Sequence, residues 1–144
     1  MKIGICGMGK MGSAMAQRML AVGHDVTVWN RDAAKTGPLV ALGAKAAATP
    51  GILADEAECI ITMVLDAGAI DSVYRGADGV LSTDLNGKLL IDMSTVMPET
   101  EEALARDVAA KGGRFIECPV GGTVAPARAG SRSEERRVGK ECRS

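Results

Sequence analysis

Three glycines at fixed spacing are the strongest chemical signal in the sequence. The segment CGMGKMG places Gly7, Gly9 and Gly12 in a G-x-G-x-x-G pattern, after the apolar run 2–7 and before a helix-like stretch. In such a turn the first glycine permits a tight bend, the second lets the backbone approach a pyrophosphate, and the third lets helix and strand pack closely. The helix N-terminus then presents free N–H groups to phosphate oxygens. The pattern predicts a dinucleotide site; the alternative is a tight strand-to-helix turn without a ligand.

The end of the second predicted strand bears on which dinucleotide would bind. An NAD site usually places a carboxylate there, about 20 residues after the glycine loop, to bind the ribose hydroxyls. The sequence instead reads VWNRD, with Asn30 at the strand end, Arg31 next and Lys35 one turn later. A guanidinium can bind a 2′-phosphate through two hydrogen bonds, whereas a carboxylate repels it. The pattern favours NADP. NAD stays an alternative, because Asp32 could reach the ribose and the two cations could be solvated loop charges.

Other groups that could do chemistry are sparse. The sequence has one histidine, His24, and four cysteines of which no two form a C-x-x-C pair: Cys6, Cys59, Cys118 and Cys142. A metal site is therefore not predicted. The first three cysteines lie in apolar runs, which is typical of buried thiols. Asp92 could reach a cleft, but a single carboxylate without a partner is not an acid–base pair. No residue of this chain is predicted to be catalytic.

Composition restricts the class of protein. A length of 144 residues with 47% apolar and 24% charged residues suits one globular domain, and 2% aromatic residues means an aliphatic core. No apolar run approaches the roughly 20 residues of a membrane span, and the start lacks the apolar core of a signal peptide. Before residue 132 the chain has 12 basic and 15 acidic residues, so no nucleic-acid surface is predicted. We expect a cytoplasmic protein without membrane or nucleic-acid partners.

Apolar runs alternate with helix-like stretches over most of the chain. The runs are apolar nearly throughout, which is typical of parallel strands covered on both faces: 2–7, 25–30, 44–47, 59–64, 88–93 and 114–120. The helix-like stretches are 10–22, 33–42, 50–57, 69–76 and 98–113. Gly37–Pro38 interrupts the second of these, so that helix could begin at Pro38. The alternation predicts a doubly wound α/β fold of the Rossmann type with a mainly parallel sheet.

Several motifs in one order together resemble a known family. IGICGMGKMGSAMAQRML, GHDVTVWNR, CIITMVLD, IDMSTVMPET and ECPVGGTVAPARAG are similar to the β-hydroxyacid dehydrogenases, which include 3-hydroxyisobutyrate dehydrogenase, tartronate semialdehyde reductase and 6-phosphogluconate dehydrogenase. The resemblance extends from Met1 to about Gly130. It implies an NADP-preferring oxidoreductase that moves a hydride between the nicotinamide and a short hydroxy acid or semialdehyde. The alternative is a dinucleotide-binding sensor or regulatory module without catalysis.

The resemblance implies roles for the matching positions. Asn30 and Arg31 would sit at the adenosine ribose, Val64 and Leu65 would line the cofactor cleft, and Thr95 would lie near the nicotinamide. The pyrophosphate would be held by Gly7, Met8, Gly9, Lys10, Met11 and Gly12. The substrate would contact Ser94, Thr95, Gly121, Gly122 and Thr123, because a glycine-rich loop can direct N–H groups at an acid group.

Two departures from the family pattern affect these expectations. Many members have a serine in the substrate loop where this chain has Gly121, which leaves the substrate open. Family members also continue into an all-helical domain that carries a catalytic lysine in a G-x-G-x-x-x-K-type motif and builds most of a dimer. That motif is absent from this sequence. The resemblance therefore implies a fragment that ends before the last strands, an inactive chain as given, and an oligomeric parent.

The last segment differs from everything before it. The thirteen residues Arg132–Ser144 read RSEERRVGKECRS, which is the in-frame translation of a nucleotide string that looks like a common short-read sequencing adapter. Eight of the thirteen are charged, and the segment has no strand periodicity. We predict an NAD(P)-binding domain over 1–130 and an artefactual or disordered tail over 131–144.

Overall fold

Six parallel strands form one sheet in the computed structural model, which describes residues 1–119 and 124–130. The strands are β1 Lys2–Cys6, β2 Asp25–Trp29, β3 Lys45–Ala46, β4 Cys59–Thr62, β5 Leu89–Asp92 and β6 Arg114–Glu117. The α-helices are α1 Lys10–Ala21, α2 Gly37–Ala41, α3 Pro50–Glu56, α4 Ala67–Arg75, α5 Pro98–Ala110 and α6 Val124–Ala129. Short 3-10 helices occupy Ala33–Thr36 and Val80–Ser82.

The strand order is β3-β2-β1-β4-β5-β6, and every neighbouring pair is parallel. The chain runs outward from β1 to β3, returns to the centre at β4, and then runs outward to β6. The order of the strands therefore reverses between β1 and β4. In open α/β sheets ligands bind at such a reversal, outside the carboxyl ends of the strands. The predicted doubly wound fold is confirmed.

Two separate apolar cores lie on opposite faces of the sheet, and alternate residues of the central strands face one core or the other, as the pleat requires. Ile3 and Ile5 of β1 face the core beneath α1, whereas Cys6 faces the core beneath α3, α4 and α5. Gly4 also faces α3, where an added Cβ would lie 2.3 Å from Leu53 Cδ2, so glycine permits the close packing of α3 on β1. Both cores are mainly aliphatic, as predicted; the second also contains the buried aromatics Tyr74 and Phe115.

Helix ends follow local rules of capping. Thr49 and Asp66 accept hydrogen bonds from the amides of Ile52 and Ala69, at 3.1 and 2.8 Å, and so begin α3 and α4. Proline occupies the first turn of α3 and of α5, where its missing N–H costs nothing. At the other end of α3, Lys88 Nζ donates to three backbone carbonyls: those of Ala54, Asp55 and Ala57. Such a contact satisfies carbonyls that the helix leaves unpaired.

The observed elements differ from the predicted ones mainly at their ends. The stretch 33–42 divides into a 3-10 helix and α2, and α2 begins at Gly37 rather than Pro38. Strand β3 has two residues, and α6 was not predicted. Among the described residues no helix combines the length and apolar character needed to cross a membrane. The predicted tail, 131–144, lies outside the described residues.

Candidate functional site

A cleft of about 610 Å³ opens at the carboxyl ends of β1, β2 and β4. Four segments line it: the glycine loop, the turn after β2, the turn after β4, and the first two turns of α4. This is the place where the order of strands reverses. Ten of the residues predicted to bind a cofactor line the cleft: Gly7, Gly9, Lys10, Met11, Gly12, Asn30, Arg31, Lys35, Val64 and Leu65. The topology thus brings these ten residues together from as many as 58 positions apart in the sequence.

The surroundings of the three loop glycines show why a larger residue would not fit at two of them. Gly7 has φ +104°, and a Cβ there would lie 2.0 Å from Met63 O. A Cβ on Gly12 would lie 1.9 Å from Gly7 O, so only glycine lets α1 begin this close to β1. Gly9 is different, because an added Cβ would meet no described atom within 4 Å. The space over Gly9 belongs to the cleft, where a ligand could contact the bare backbone.

The N-terminus of α1 faces the cleft. Gly9 is its N-cap residue and provides no side-chain cap, and the first turn contains no acidic residue. The start of the helix, with its first-turn N–H groups and partial positive charge, is therefore suited to an anion. Lys10 and Met11 also line the cleft. Met8 does not: its side chain is buried in the core beneath α1, and only its backbone belongs to the loop.

Asn30 fastens the glycine loop to the end of β2. Its Oδ1 accepts a hydrogen bond from Met8 N at 2.8 Å, and its Nδ2 donates to Asp32 O at 3.0 Å. A backbone hydrogen bond from Gly7 N to Trp29 O, 2.9 Å, runs beside them. The side chain predicted to lie at the ribose thus fixes the shape of the glycine loop, over a separation of 22 residues.

Charges in the cleft are unevenly matched. Lys10, Arg31 and Lys35 line it and make no ion pair within residues 1–119 and 124–130. The two carboxylates that line it each cap a helix, since Asp32 Oδ1 accepts from Ala34 N at 3.1 Å and Asp66 Oδ1 accepts from Ala69 N. The cleft therefore has three cations without ion pairs and two carboxylates that are each held by a helix N-terminus, an arrangement that favours an anionic ligand.

One wall of the cleft faces the glycine loop, and only Val64 and Leu65 of that wall are predicted from the sequence. It consists of the turn after β4 and the start of α4, with Asp66, Gly68, Ala69 and Ser72 facing the cleft. Trp29 also lines the cleft, below the turn after β2. The capping Asp66 directly after the β4 run was the signal that could have found this wall. Leu65 is 94% exposed, so the rim of the cleft presents an apolar side chain to whatever binds there.

The loop after β5 is joined to the cleft through Ser94. Ser94 Oγ accepts a hydrogen bond from Val64 N at 3.0 Å, and Ser94 N donates to Asp92 Oδ1 at 2.9 Å. Ser94 is buried, whereas Thr95 beside it is exposed, and neither lines the cleft itself. Ser94 thus holds two strand ends together. Contacts of Ser94 with a substrate and of Thr95 with a nicotinamide stay predictions.

Buried polar groups lie behind this loop, on the side of α4 and α5. Thr62 Oγ1 and Tyr74 Oη share a hydrogen bond of 2.9 Å, and Asp92 and Glu101 are buried beside them. Burial raises the pKa of Tyr74 well above its ordinary value, and the charge of Asp92 raises it further. Burial also raises the pKa of Asp92 and raises the pKa of the Cys6 thiol to about 12. No carboxylate partner for Asp92 is predicted from the sequence, but the fold brings Glu101 near it.

The remaining candidate residues are those of the predicted substrate loop and the cysteines. Gly121, Gly122 and Thr123, predicted to bind substrate, lie outside the described residues. No cluster of three metal-ligating side chains occurs in the part of the chain that the structure describes. Cys6, Cys59 and Cys118 are buried and unbridged, as predicted for the first three cysteines.

Comparison with known proteins gives a family match over nearly the whole chain. The model for the NAD binding domain of 6-phosphogluconate dehydrogenase matches residues 2–133. Glyoxylate/succinic semialdehyde reductase 1 of Arabidopsis thaliana is 41% identical over 130 residues, which are 90% of this chain and 45% of that protein. Cytokine-like nuclear factor N-PAC of Xenopus tropicalis is 41% identical over 121 residues, or 84% of this chain and 23% of that protein.

The solved structures agree with the fold. Psf3 in complex with NADP+ and 2-OPP superposes with a TM-score of 0.87 at 35% identity, covering 92% of this chain and 47% of that one. The chain thus spans less than half the length of each of these relatives. The match covers the part that contains the cleft.

Proposed function

Because this chain belongs to the family of the NAD binding domain of 6-phosphogluconate dehydrogenase, we propose that its cleft binds NADP(H) in preference to NAD(H) for hydride transfer. The pyrophosphate would lie over Gly9 and the first turn of α1. The adenosine ribose would lie at Asn30, with its 2′-phosphate between Arg31 and Lys35. The nicotinamide would extend past Val64 toward Thr95.

The cofactor preference rests on which charged side chains after β2 have a partner and which do not. Arg31 and Lys35 face the cleft without an ion pair among the described residues, while Asp32 uses a carboxylate oxygen to cap a 3-10 helix. The position where an NAD site has a carboxylate is held by Asn30, which is fastened to the glycine loop. A 2′-phosphate would gain charge-assisted hydrogen bonds there without meeting an uncommitted carboxylate. The NADP+ bound to Psf3 supports the same preference.

The substrate class follows from the relatives and from the predicted substrate loop. We propose a short hydroxy acid or its semialdehyde, a small-molecule class that the Arabidopsis thaliana reductase supports by its own substrates, glyoxylate and succinic semialdehyde. Backbone N–H groups of Gly121, Gly122 and Thr123 would hold the acid group of the substrate, and Ser94 and Thr95 would contact the rest. The general acid is not assigned to any of the described residues.

Isothermal titration of NADPH and NADH into the protein and into Arg31→Ala tests this proposal. The unmodified protein should bind NADPH at least about tenfold more tightly than NADH. Loss of one charged hydrogen-bonding group should weaken NADPH binding by about 1.5–3 kcal/mol and leave NADH binding nearly unchanged.

Arg114→Ala is the matched control, because Arg114 is exposed at the start of β6, at the sheet edge opposite the cleft. It should leave both affinities unchanged. Equal affinity for NADPH and NADH in the unmodified protein would contradict the preference, and an equal loss for both cofactors in Arg31→Ala would remove the argument from the 2′-phosphate.

A further inference from the structure

Asp92 and Glu101 form a carboxyl pair that solvent does not reach. Asp92 ends β5 and is 0% exposed; Glu101 lies in the first turn of α5 and is 2% exposed. Asp92 Oδ2 and both Glu101 carboxyl oxygens are inaccessible to water. Both carboxyl groups act on the buried Tyr74 hydroxyl, and Glu101 is near enough to lower the pKa of Asp92 against the larger rise that burial causes. Eight residues lie between them in the sequence, and the start of α5 brings Glu101 near the end of β5.

A hydrogen bond between two carboxyl groups needs a proton on one of them, since an ionised carboxylate is only an acceptor. Two carboxylates in contact cannot both ionise without strong repulsion, and burial adds a further penalty on the charged forms. One oxygen of Asp92 already accepts the Ser94 N–H at 2.9 Å, which stabilises the ionised form of Asp92. A single proton on Glu101, directed at the second oxygen of Asp92, would give both carboxyl groups a partner and leave the pair with one negative charge.

The pair is linked to the cleft by two further hydrogen bonds. Asp92 Oδ1 holds Ser94 N, and Ser94 Oγ accepts from Val64 N at 3.0 Å. Val64 lines the cleft. A change in the charge or position of Asp92 therefore acts on the ends of both β5 and β4, at the end of the cleft where the nicotinamide is proposed to lie.

We propose that Asp92 and Glu101 share one proton and that this singly protonated pair positions Ser94 and Val64 for cofactor binding. Both are positioning residues, since neither lines the cleft. The consequence for binding depends on the proposed function; the shared proton does not. When pH rises far enough to remove the proton to solvent, the two carboxylates repel, the hold on Ser94 loosens, and NADPH binding weakens.

Other ionisable groups face the pair and must be distinguished from it. Tyr74 of α4 and Cys6 of β1 are buried nearby, and burial raises the pKa of both. Glu117 of β6 is the register partner of Asp92 in the sheet and is also buried. Tyrosine and cysteine with raised pKa values stay neutral over the range in which carboxyl groups titrate. Glu117 is therefore the group that needs its own control.

The amide signals of Ser94 and Val64 report the pair directly. In ¹⁵N-resolved NMR spectra of the protein without cofactor, both amides should shift together along one titration above the ordinary range of carboxyl groups. Glu101→Gln keeps a donor toward Asp92, and Asp92→Asn keeps an acceptor for Ser94 N. Each of these variants should abolish that titration, while Glu99→Gln, exposed in the same turn of α5, and Glu117→Gln should keep it.

Unfolding measured against pH gives a second test that needs no cofactor. Burial raises the pKa of Asp92, so the folded pair keeps a proton that the unfolded chain has already released, and stability falls as pH rises through this interval. The unfolding equilibrium constant should therefore rise by up to about tenfold per pH unit relative to Glu101→Gln. Above the interval Glu101→Gln should be more stable than the unmodified protein, and Glu99→Gln should behave like the unmodified protein.

NADPH titrations across the same range complete the design. Above the transition, NADPH should bind the unmodified protein about two- to tenfold more weakly than it binds Glu101→Gln, with similar affinities below it. No titration at Ser94 in the unmodified protein, or one that survives both Asp92→Asn and Glu101→Gln, would overturn the shared proton. The shared proton would also be overturned if the titration at Ser94 were lost in Glu117→Gln and kept in Asp92→Asn and Glu101→Gln. A normal titration with no NADPH binding at any pH would count against the proposed function instead.

Discussion

Asn30 has two roles: it occupies the strand end that bears on cofactor choice, and it holds the glycine loop in place. It lies where an NAD site has its carboxylate, and its Oδ1 also accepts from Met8 N at 2.8 Å. Asn30→Asp separates the roles, because the carboxylate can still accept from Met8 N. It loses the exposed hydrogen bond to Asp32 O and brings a negative charge beside Arg31. We expect the loop to keep its shape and the ratio of NADPH to NADH affinity to fall by about tenfold or more, equivalent to about 1.4 kcal/mol.

Fluorescence titration of both cofactors measures that ratio. Asn86→Asp is the matched control, because this substitution makes the same chemical change away from the cleft. Asn86 is exposed in the turn before β5. The control should leave the ratio unchanged. A ratio that is unaffected by Asn30→Asp would mean that this position does not meet the 2′-phosphate.

At the scale of residues, the sequence could predict what depends on neighbours along the chain. The positive φ of Gly7 and the close approach of Gly12 to Gly7 O are local, whereas the close approach of Gly7 to Met63 O depends on the neighbouring strand β4. The hydrogen bond of Asn30 to the loop spans 22 residues, and that of Val64 to Ser94 spans 30. Such contacts depend on which strands are neighbours in the sheet, so the roles of Asn30 and Ser94 in holding the site together were not predictable from their surroundings.

The junction of β1 and α1 makes a sharp prediction about two glycines. Alanine in place of glycine inside a helix ordinarily stabilises by about 1 kcal/mol. In Gly12→Ala, however, the new Cβ would lie 1.9 Å from Gly7 O, so backbone must move, and we expect destabilisation by about 1–3 kcal/mol. In Gly9→Ala the Cβ meets no described atom within 4 Å. We expect that variant to melt within a few degrees of the unmodified protein and to lose most of its NADPH affinity.

Thermal melts and cofactor titrations on both variants check this pair, each acting as the control for the other. Loss of binding without loss of stability at Gly9 is the signature of a ligand that contacts the backbone there. If Gly9→Ala bound NADPH as tightly as the unmodified protein, the pyrophosphate would not lie over Gly9, and the loop would be only a tight turn.

At the scale of elements, periodicity predicted the six strands and the first five helices, but their ends only to within a few residues. Strand ends are set by pairing: β4 stops at Thr62, opposite Cys6 and Asp92, although the apolar run continues to Val64. The two-residue β3 has no apolar pattern of its own and exists through its pairing with Thr27 and Val28. Helix α6 packs against α1, and the sequence of 124–129 alone does not predict that contact.

At the scale of the whole molecule, the cleft lies between two halves of the sheet. The glycine loop and the turn after β2 belong to the half that runs from β1 to β3, and the turns after β4 and β5 belong to the other. The alternation of strands and helices predicted the class of fold. The joining of these four turns at one edge follows from the order of the strands, which sequence periodicity does not contain.

Hydrogen exchange can test whether one ligand spans both halves. NADPH should slow amide exchange in 7–12 and 30–36 through its adenosine and pyrophosphate, and in 63–69 and 94–97 through its nicotinamide end. Adenosine 2′,5′-bisphosphate has the adenosine end alone, so we expect it to protect 30–36 and leave 94–97 as in the free protein. At 100 times its dissociation constant each ligand stabilises the fold by about 2.7 kcal/mol, so matching saturation removes global stabilisation as the cause of a difference. Equal protection of 94–97 by both ligands would show that Thr95 responds to the fold as a whole, and its predicted place beside the nicotinamide would have to be given up.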